Sequence, residues 1–153
     1  MAQIISDATP PSAITIPAIG LELYVRISPD ATKGALSVIE TVNAPGFGPP
    51  LHRHPETEIF RVIEGTYLYE VDGRRFEATA GDVVLIPGGA AHGFLNIGNT
   101  PARQFIIIQP ALDAAAFFTG LGALMAQGRP DVETLNAFGK LWSVEFLGPP
   151  IRA

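Results

Sequence analysis

Four side chains with metal-binding donor atoms stand out in the 153-residue sequence. Two of its three histidines, His52 and His54, lie in the stretch LHRHPETEIF, which also holds Glu58, and the third is His92. Residues two positions apart on a strand share a face, so His52 and His54 are expected to point the same way. Neutral imidazoles bind Zn, Fe, Ni, Mn or Cu, and a carboxylate adds a harder ligand. This chemistry is that of one divalent transition metal held by four side chains.

Each of these residues also has an ordinary explanation. A solvated loop accounts for an isolated His-x-His, and a lone Glu or His beside a turn is usually a surface residue. Glu58 is expected on the next strand, lying beside the strand of the two histidines. If all four side chains converge, an octahedral metal keeps two positions for water, oxygen or substrate, as catalysis requires.

Composition narrows the remaining classes of protein. The chain has no cysteine, so a metal must be held by nitrogen and oxygen ligands. The net charge is −5 and no run of Lys and Arg occurs, which argues against a nucleic-acid partner. The longest apolar runs are too short to span a bilayer, and the first residues lack a signal-peptide pattern, so we expect no membrane partner and a cytoplasmic location.

Short alternating runs between turn residues predict an all-β domain, an antiparallel sandwich or barrel. The predicted strands cover 22–28, 34–41, 58–65, 81–89, 92–98 and 102–110, with a hairpin over 66–78. Asp72-Gly73 at the tip of that hairpin favours a type I′ turn.

The pattern becomes helical after residue 110. Segments 112–128 and 129–142 are expected to form two short helices, with Asp113 capping the first and with Pro130 and Asp131 opening the second. We therefore predict a single domain over 1–153, with an N-terminal arm (1–20), a β-barrel (21–110) and C-terminal helices (111–153).

Two segments together resemble a known family. The stretch GFGPPLHRHPETEIFRVIEG has the pattern G-x5-H-x-H-x3-E-x6-G, where x is any residue. The stretch GDVVLIPGGAAHGFLN has the pattern G-x5-P-x-G-x2-H-x3-N. Both are similar to the two signature motifs of the cupin superfamily. The matching positions are Gly46, His52, His54, Glu58 and Gly65, then Gly81, Pro87, Gly89, His92 and Asn96.

The resemblance implies an antiparallel cupin β-barrel, or jelly roll, in which His52, His54, Glu58 and His92 bind one divalent metal (Fe, Mn, Ni, Zn or Cu). The chain is also similar to small single-domain proteins related to quercetin 2,3-dioxygenase. That similarity implies a dioxygenase of a small aromatic or enolisable compound, with Glu58 as the catalytic base. The alternatives are a non-redox isomerase or lyase, a metal-containing binding or sensing protein without turnover, and a metal-free role.

The resemblance also implies a small-molecule substrate in an apolar pocket. The candidate pocket residues on the metal side are Phe60, Val62, Phe94 and Asn96, and those that could close the mouth are Phe47, Phe105, Phe117 and Phe118. Taken singly, each of the apolar residues is better explained by ordinary core packing, and Asn96 by a structural role. Arg53 and Arg103 have the wrong parity to contact a substrate carboxylate, which favours an uncharged aromatic or enolic substrate. Ile59 and Ile63 have outward parity and need cover, which the arm, the helices or a partner subunit could provide. Cupins often dimerise through such a face, so the resemblance implies a homodimer.

Overall fold

Antiparallel strands in two sheets make up most of the fold. The computed structural model describes residues 2–7 and 12–153, so residues 1 and 8–11 of the predicted arm lie outside the described residues. The strands are β1 Ile14–Ile16, β2 Leu21–Ile27, β3 Ser37–Asn43, β4 Pro50–Arg53, β5 Thr57–Glu64, β6 Thr66–Val71, β7 Arg74–Thr79, β8 Val83–Ile86, β9 His92–Asn96, β10 Ala102–Gln109 and β11 Glu145–Pro150.

The first sheet has the order β1-β2-β3-β10-β5-β8, and the second has the order β11-β4-β9-β6-β7. Buried side chains alternate with more exposed ones along the long strands, and the buried sets of the two sheets meet. The ring of Phe60, on β5, lies 5.6 Å from that of Tyr69, on β6, and 5.8 Å from that of Phe94, on β9. The predicted all-β jelly-roll architecture is thus confirmed.

The hairpin of β6 and β7 forms as its turn residues predict. Asp72 has a φ of 49° and Gly73 a φ of 80°. Positive φ at both central positions is what a type I′ turn requires, and its twist matches that of the flanking strands. The Asp72 carboxylate also accepts a hydrogen bond from the Ala91 amide, which joins the hairpin to the segment before His92.

Two short strands fall in segments that the sequence did not assign to the barrel. β1, within the arm, pairs with β2, and β11, within the segment predicted as helical, pairs with β4. The predicted position of Glu58 beside the histidine strand is wrong, because β4 and β5 lie in different sheets. Residues 54–56 carry the chain from one sheet to the other, so Glu58 faces the histidines across the barrel.

Two helices cover one side of the barrel, α1 at Ala114–Met125 and α2 at Val132–Lys140. The carboxylates of Asp113 and Asp131 accept hydrogen bonds from the amides of Ala116 and Thr134, so both predicted N-caps form. Within the described residues, neither helix has the length and apolar character needed to cross a membrane.

Candidate metal centre

Neighbouring strands place two of the histidines side by side. His52 on β4 and His92 on β9 are directly opposed in the antiparallel pairing, and their ring centroids are 4.3 Å apart. His54 follows the end of β4, with its ring 4.9 Å from that of His92. The three imidazoles therefore form a compact group in the wall that the second sheet contributes.

Glu58 completes this group from the first sheet. Its Oε1 lies 2.7 Å from Nε2 of His54 and 3.1 Å from Nε2 of His92. One donor atom from each of the four residues lies within 4.8 Å of the others. The structure therefore brings the four sequence-predicted ligands together at one point.

Backbone carbonyls orient each imidazole. Nδ1 of His52, His54 and His92 lies 2.7, 3.1 and 2.9 Å from the carbonyl oxygens of Pro50, Glu56 and Ala90. A carbonyl oxygen only accepts, so each Nδ1 carries the hydrogen, and Nε2 of the neutral ring keeps its lone pair. Metal-binding imidazoles typically have this arrangement, with the other ring nitrogen donating to a carbonyl or carboxylate. The donor set therefore fits a divalent transition metal.

Burial and mutual contact shift the pKa values at the site. Burial, together with the neighbouring His92 and His54, lowers the pKa of His52 to about 3. Burial would raise the pKa of Glu58, but Nε2 of His54 and of His92 donates to its carboxylate when those rings are protonated, and these contacts hold that pKa well below its usual range. For His54 burial is opposed by the contact with the Glu58 carboxylate, and the net effect raises its pKa. His52 thus stays neutral, and Glu58 stays ionised, over the physiological pH range.

The turn after His54 is fixed to the turn before His92. The Gly89 amide donates to the carbonyl of His54 over 2.8 Å, and the Gly88 amide donates to Oγ1 of Thr57 over 3.1 Å. A Cβ on Gly88 would lie 2.1 Å from the carbonyl oxygen of Pro55. Only glycine permits this approach, which holds the two ligand-bearing segments at a set separation.

An apolar cavity of about 90 Å³ opens onto the four ligands. A single water needs roughly 10–15 Å³ on this measure, so the cavity has room for a group of about the size of one aromatic ring. No Arg or Lys of the described residues lines it. Its wall is formed by Ile19, Leu21, Ile39, Thr41, Asn43, Pro49, His52, His54, Glu56, Glu58, Phe60, His92, Phe94, Ile106, Ile108, Leu112, Phe117, Phe118, Leu121, Val144 and Phe146.

Four of the aromatic pocket candidates line this cavity: Phe60, Phe94, Phe117 and Phe118. Phe60 and Phe94 are inward-facing and lie two residues beyond Glu58 and His92 on their strands. Phe117 and Phe118 project from α1, and Phe117 is buried. Helix α1 therefore contributes the part of the cavity wall that the two sheets do not.

The other pocket candidates do not line the cavity. Val62 is fully buried, but it follows Glu58 by four residues, roughly 13 Å along the strand. Asn96 uses its amide on the backbone: Nδ2 donates to the carbonyls of Asn43 and Thr100, and Oδ1 accepts from Gly98. Asn96 thus supports the loop after β9.

Phe47 and Phe105 also lie outside the cavity. Phe47 is 41% exposed and covers Gly20, in contact with a second groove near Met125 and Pro130. Phe105 has outward parity on β10, where the buried positions are Ala102, Gln104, Ile106 and Ile108. Ile106 and Ile108 take its expected place in the cavity wall.

The sequence reasoning missed two residues close to the metal centre. Phe146, on β11, has its ring 6.3 Å from that of His52. Glu56 lies between two ligands in the sequence and lines the cavity with them. Its position two residues from both His54 and Glu58 was the available signal, although residues in a turn have no fixed parity.

Comparison with known proteins agrees with this fold and site. Residues 39–108 match the Cupin_2 family, which is described as a cupin domain. An uncharacterized protein of Methanocaldococcus jannaschii is 34% identical over 79 residues, which make up 50% of this chain and 63% of that protein. The polyketide synthase CurC of Streptomyces cyaneus is 30% identical over 89 residues, which make up 58% of this chain and 56% of that protein. The matches thus span less than two thirds of either relative.

A solved structure is also similar. The crystal structure of a predicted oxalate decarboxylase from Thermotoga maritima is 26% identical, with a TM-score of 0.57, over 59% of this chain and 80% of that chain. The family match runs from β3 to β10 and contains all four converging side chains. Residues 39–108 of this chain are therefore similar to a cupin domain, and the three histidines and one glutamate in this segment could hold a metal ion.

Proposed function

We propose that this protein is a metal-dependent oxidoreductase, a dioxygenase that acts on a small aromatic or enolisable compound. The observation that carries the proposal is the position of the His52, His54, Glu58 and His92 group at the wall of an apolar cavity lined by aromatic rings. Such a cavity excludes water around the reacting atoms and accepts a flat, uncharged ring.

A divalent transition metal held by these four residues would stabilise the oxyanion of a bound substrate and, where it is redox-active, support the reaction of that anion with dioxygen. The imidazoles provide neutral Nε2 donors in fixed orientations. Because Pro50, Glu56 and Ala90 hold the Nδ1 hydrogens, the rings need no rearrangement to bind.

Glu58 has a second role as the proton acceptor. Its carboxylate is ionised and buried among the histidines, within reach of a hydroxyl that enters from the cavity. It would be a weak base, because a cation held beside it would stabilise its negative charge. Only a hydroxyl whose anion is strongly stabilised gives up its proton to such a group, which favours phenols and enols over aliphatic alcohols.

The cavity itself restricts the substrate. Phe60 and Phe94 face each other from opposite sheets, and Phe117 closes the wall from α1. The volume suits one ring or a short β-diketone better than a three-ring flavonol. The absence of a lining cation, within the part of the chain that the structure describes, disfavours a dicarboxylate such as oxalate.

A non-redox reaction is the second candidate. The similarity to a polyketide synthase and to a predicted oxalate decarboxylase favours it, because relatives of this domain carry names that do not involve dioxygen. The same four residues and the same apolar wall would then serve an isomerase or lyase that acts through an enolate.

Oxygen consumption separates the two candidates. The protein is reconstituted in turn with Fe(II), Mn(II), Ni(II), Cu(II) and Zn(II) and mixed with catechols, β-diketones and flavonols. We expect dioxygen uptake equal to substrate loss with at least one redox-active metal, greatest for the single-ring and diketone substrates. Conversion of the substrate under argon would favour the isomerase or lyase, and no uptake with any metal would contradict the dioxygenase.

A further inference from the structure

Two buried side-chain polar atoms among the described residues have no hydrogen-bond partner: Oε1 of Glu56 and Nε2 of Gln104. Gln104 lies outside the cavity, and its other amide atom accepts a hydrogen bond from Tyr69. Glu56 lines the cavity beside the four ligands. A buried acceptor without a donor is costly, so a small rotation of the Glu56 side chain that turns this oxygen into the cavity would be favoured by a ligand that supplies the donor.

The backbone of Glu56 is fixed where it stands. Its carbonyl accepts the hydrogen bond from Nδ1 of His54, so its position is tied to a ligand. The flanking residues are held by the turn at Gly88 and Gly89, through the hydrogen bonds to Thr57 and His54. The carboxylate therefore projects from a rigid turn rather than from a free loop.

Other polar groups of the cavity wall are already used. The Thr41 hydroxyl donates to Oδ1 of Asn43, which also accepts from the Tyr67 hydroxyl. Nδ1 of each histidine is held by a backbone carbonyl. Glu56 thus offers a ligand a hydrogen-bond acceptor separate from the one at Glu58.

We propose that Glu56 determines substrate specificity by accepting a hydrogen bond from a second hydroxyl of the substrate. The inference rests on the proposed function for the single-ring size of the substrate and for the first hydroxyl at Glu58. It narrows the substrate class to a ring that carries two hydroxyl groups. A site with a buried acceptor discriminates strongly against an analogue that lacks the matching hydroxyl, because the acceptor is then left unpaired.

Binding to the zinc-loaded protein tests this without turnover. Dissociation constants of phenol, catechol and resorcinol are measured by calorimetry at pH 7 for the wild type and for Glu56→Ala. We expect at least one dihydroxybenzene to bind the wild type about tenfold or more tighter than phenol. In Glu56→Ala this preference falls to nearly one, while the affinity for phenol changes little.

The preference is the ratio of the dissociation constant of phenol to that of the dihydroxybenzene. Comparing this ratio between the wild type and Glu56→Ala removes the other effects of the second hydroxyl. Direct contact of catechol with zinc is present in both proteins and cancels, so the change in preference reports Glu56 alone. Glu56→Gln keeps the shape and one acceptor oxygen, and it is expected to retain part of the preference. Glu77→Gln, on the exposed face of β7, is the matched control and should match the wild type. Zinc stoichiometry and melting temperature are measured for every variant.

The outcomes separate this inference from the proposed function. A preference that survives in Glu56→Ala, or a wild type that binds neither dihydroxybenzene better than phenol, overturns the role of Glu56. If Glu56→Ala loses zinc, Glu56→Gln carries the test, and an unchanged preference in that variant overturns the role. A preference that depends on Glu56, in a protein that consumes no dioxygen, supports this inference and contradicts the dioxygenase.

Discussion

At the scale of single residues, the site depends on the orientation of three imidazoles. Each ring has one nitrogen held by a backbone carbonyl and the other directed at Glu58 or its neighbours. Carbonyl acceptors fix the tautomer without adding charge. The four side chains consequently carry a single formal negative charge, from Glu58, when the histidines are neutral.

Replacing His92 by alanine should remove tight metal binding. His92 is 2% exposed and stands opposite His52, so its loss opens one quarter of the donor set. We expect metal content after dialysis to fall from about one ion per chain to near zero, measured by elemental analysis, with a far-UV spectrum still typical of a β-protein. Thr41→Val is the control, because Thr41 is a buried residue of the cavity wall that is not one of the four candidate metal ligands. An unchanged metal content in His92→Ala would remove His92 from the ligand set.

The metal-free protein should lose stability in acid through His52. The folded protein keeps this imidazole neutral down to about pH 3, whereas the unfolded chain takes up a proton below about pH 6.5. The unfolding free energy therefore falls as the pH is lowered through this window, by about 2 kcal/mol between pH 6.5 and 5. The raised pKa of His54 changes the unfolding free energy only above about pH 6.5. Below that pH its stabilising contribution is already complete, so it does not alter the predicted fall.

Urea denaturation in the presence of a chelator measures this dependence. His52→Asn keeps an amide donor for the Pro50 carbonyl and has no titratable ring, so its unfolding free energy should vary less between pH 6.5 and 5. If the unfolding free energies of the wild type and His52→Asn change equally with pH, His52 is not held neutral in the folded state.

At the scale of elements, the two motif segments position the site through their turns. β4 and β9 bring His52 and His92 together by strand pairing, whereas His54 and Glu58 depend on the crossing between sheets at residues 54–56. That crossing is held against Gly88 and Gly89. The glycines of the second motif thus act on the ligands of the first.

Gly88→Ala should disturb both the fold and metal binding. Its Cβ would meet the Pro55 carbonyl oxygen at 2.1 Å, so the crossing turn must move away. We expect a loss of about 1–3 kcal/mol in unfolding free energy and a weaker metal affinity, measured by denaturation and by competition with a chelator. Gly148→Ala has open space around its Cβ and should change neither quantity. If Gly88→Ala binds the metal as tightly as the wild type, the turn at residues 54–56 does not position the candidate ligands.

Strand parity predicted the cavity where the sequence alternates and failed where it does not. Phe60 and Phe94 follow ligands by two residues and line the cavity as expected. In β10 the run Phe105 to Ile108 is apolar at every position, so periodicity gives no face, and Phe105 points outward. β11 escaped notice because EFLGPP contains glycine and two prolines, which only an edge strand tolerates.

The sequence also could not assign strands to sheets. The spacing of His54 and Glu58 is the same whether β4 and β5 lie side by side or face each other across the barrel. Only the packing of the whole chain decides between these arrangements, because local propensity does not encode which distant strands pair. The four candidate ligands were nevertheless identifiable, since both motif patterns and all three histidines coincide.

At the scale of the whole molecule, one sheet face remains apolar and uncovered. Leu85, Ile59 and Ile107 stand in register across β8, β5 and β10 on the outer side of the first sheet. Val83 and Leu85 are 63% and 61% exposed, and Ile63 is 45% exposed. An apolar patch of this kind on an edge strand favours association.

We propose that this outer face joins two copies of the chain as a homodimer. Light scattering after size exclusion should give about twice the chain mass of 16.2 kDa. Leu85→Lys places a charge in the patch and should yield a monomer, whereas Val132→Lys, 64% exposed on α2, should leave the dimer intact. A monomeric wild type, or a dimer that persists in Leu85→Lys, would contradict this interface.

The most direct test of the metal centre is anomalous X-ray diffraction from crystals of the reconstituted protein, recorded at the absorption edge of the added metal. We expect one peak per chain, about 2.0–2.3 Å from Nε2 of His52, His54 and His92 and from a carboxylate oxygen of Glu58. A metal bound elsewhere, or imidazoles that coordinate through Nδ1 or turn away from the peak, would contradict the account.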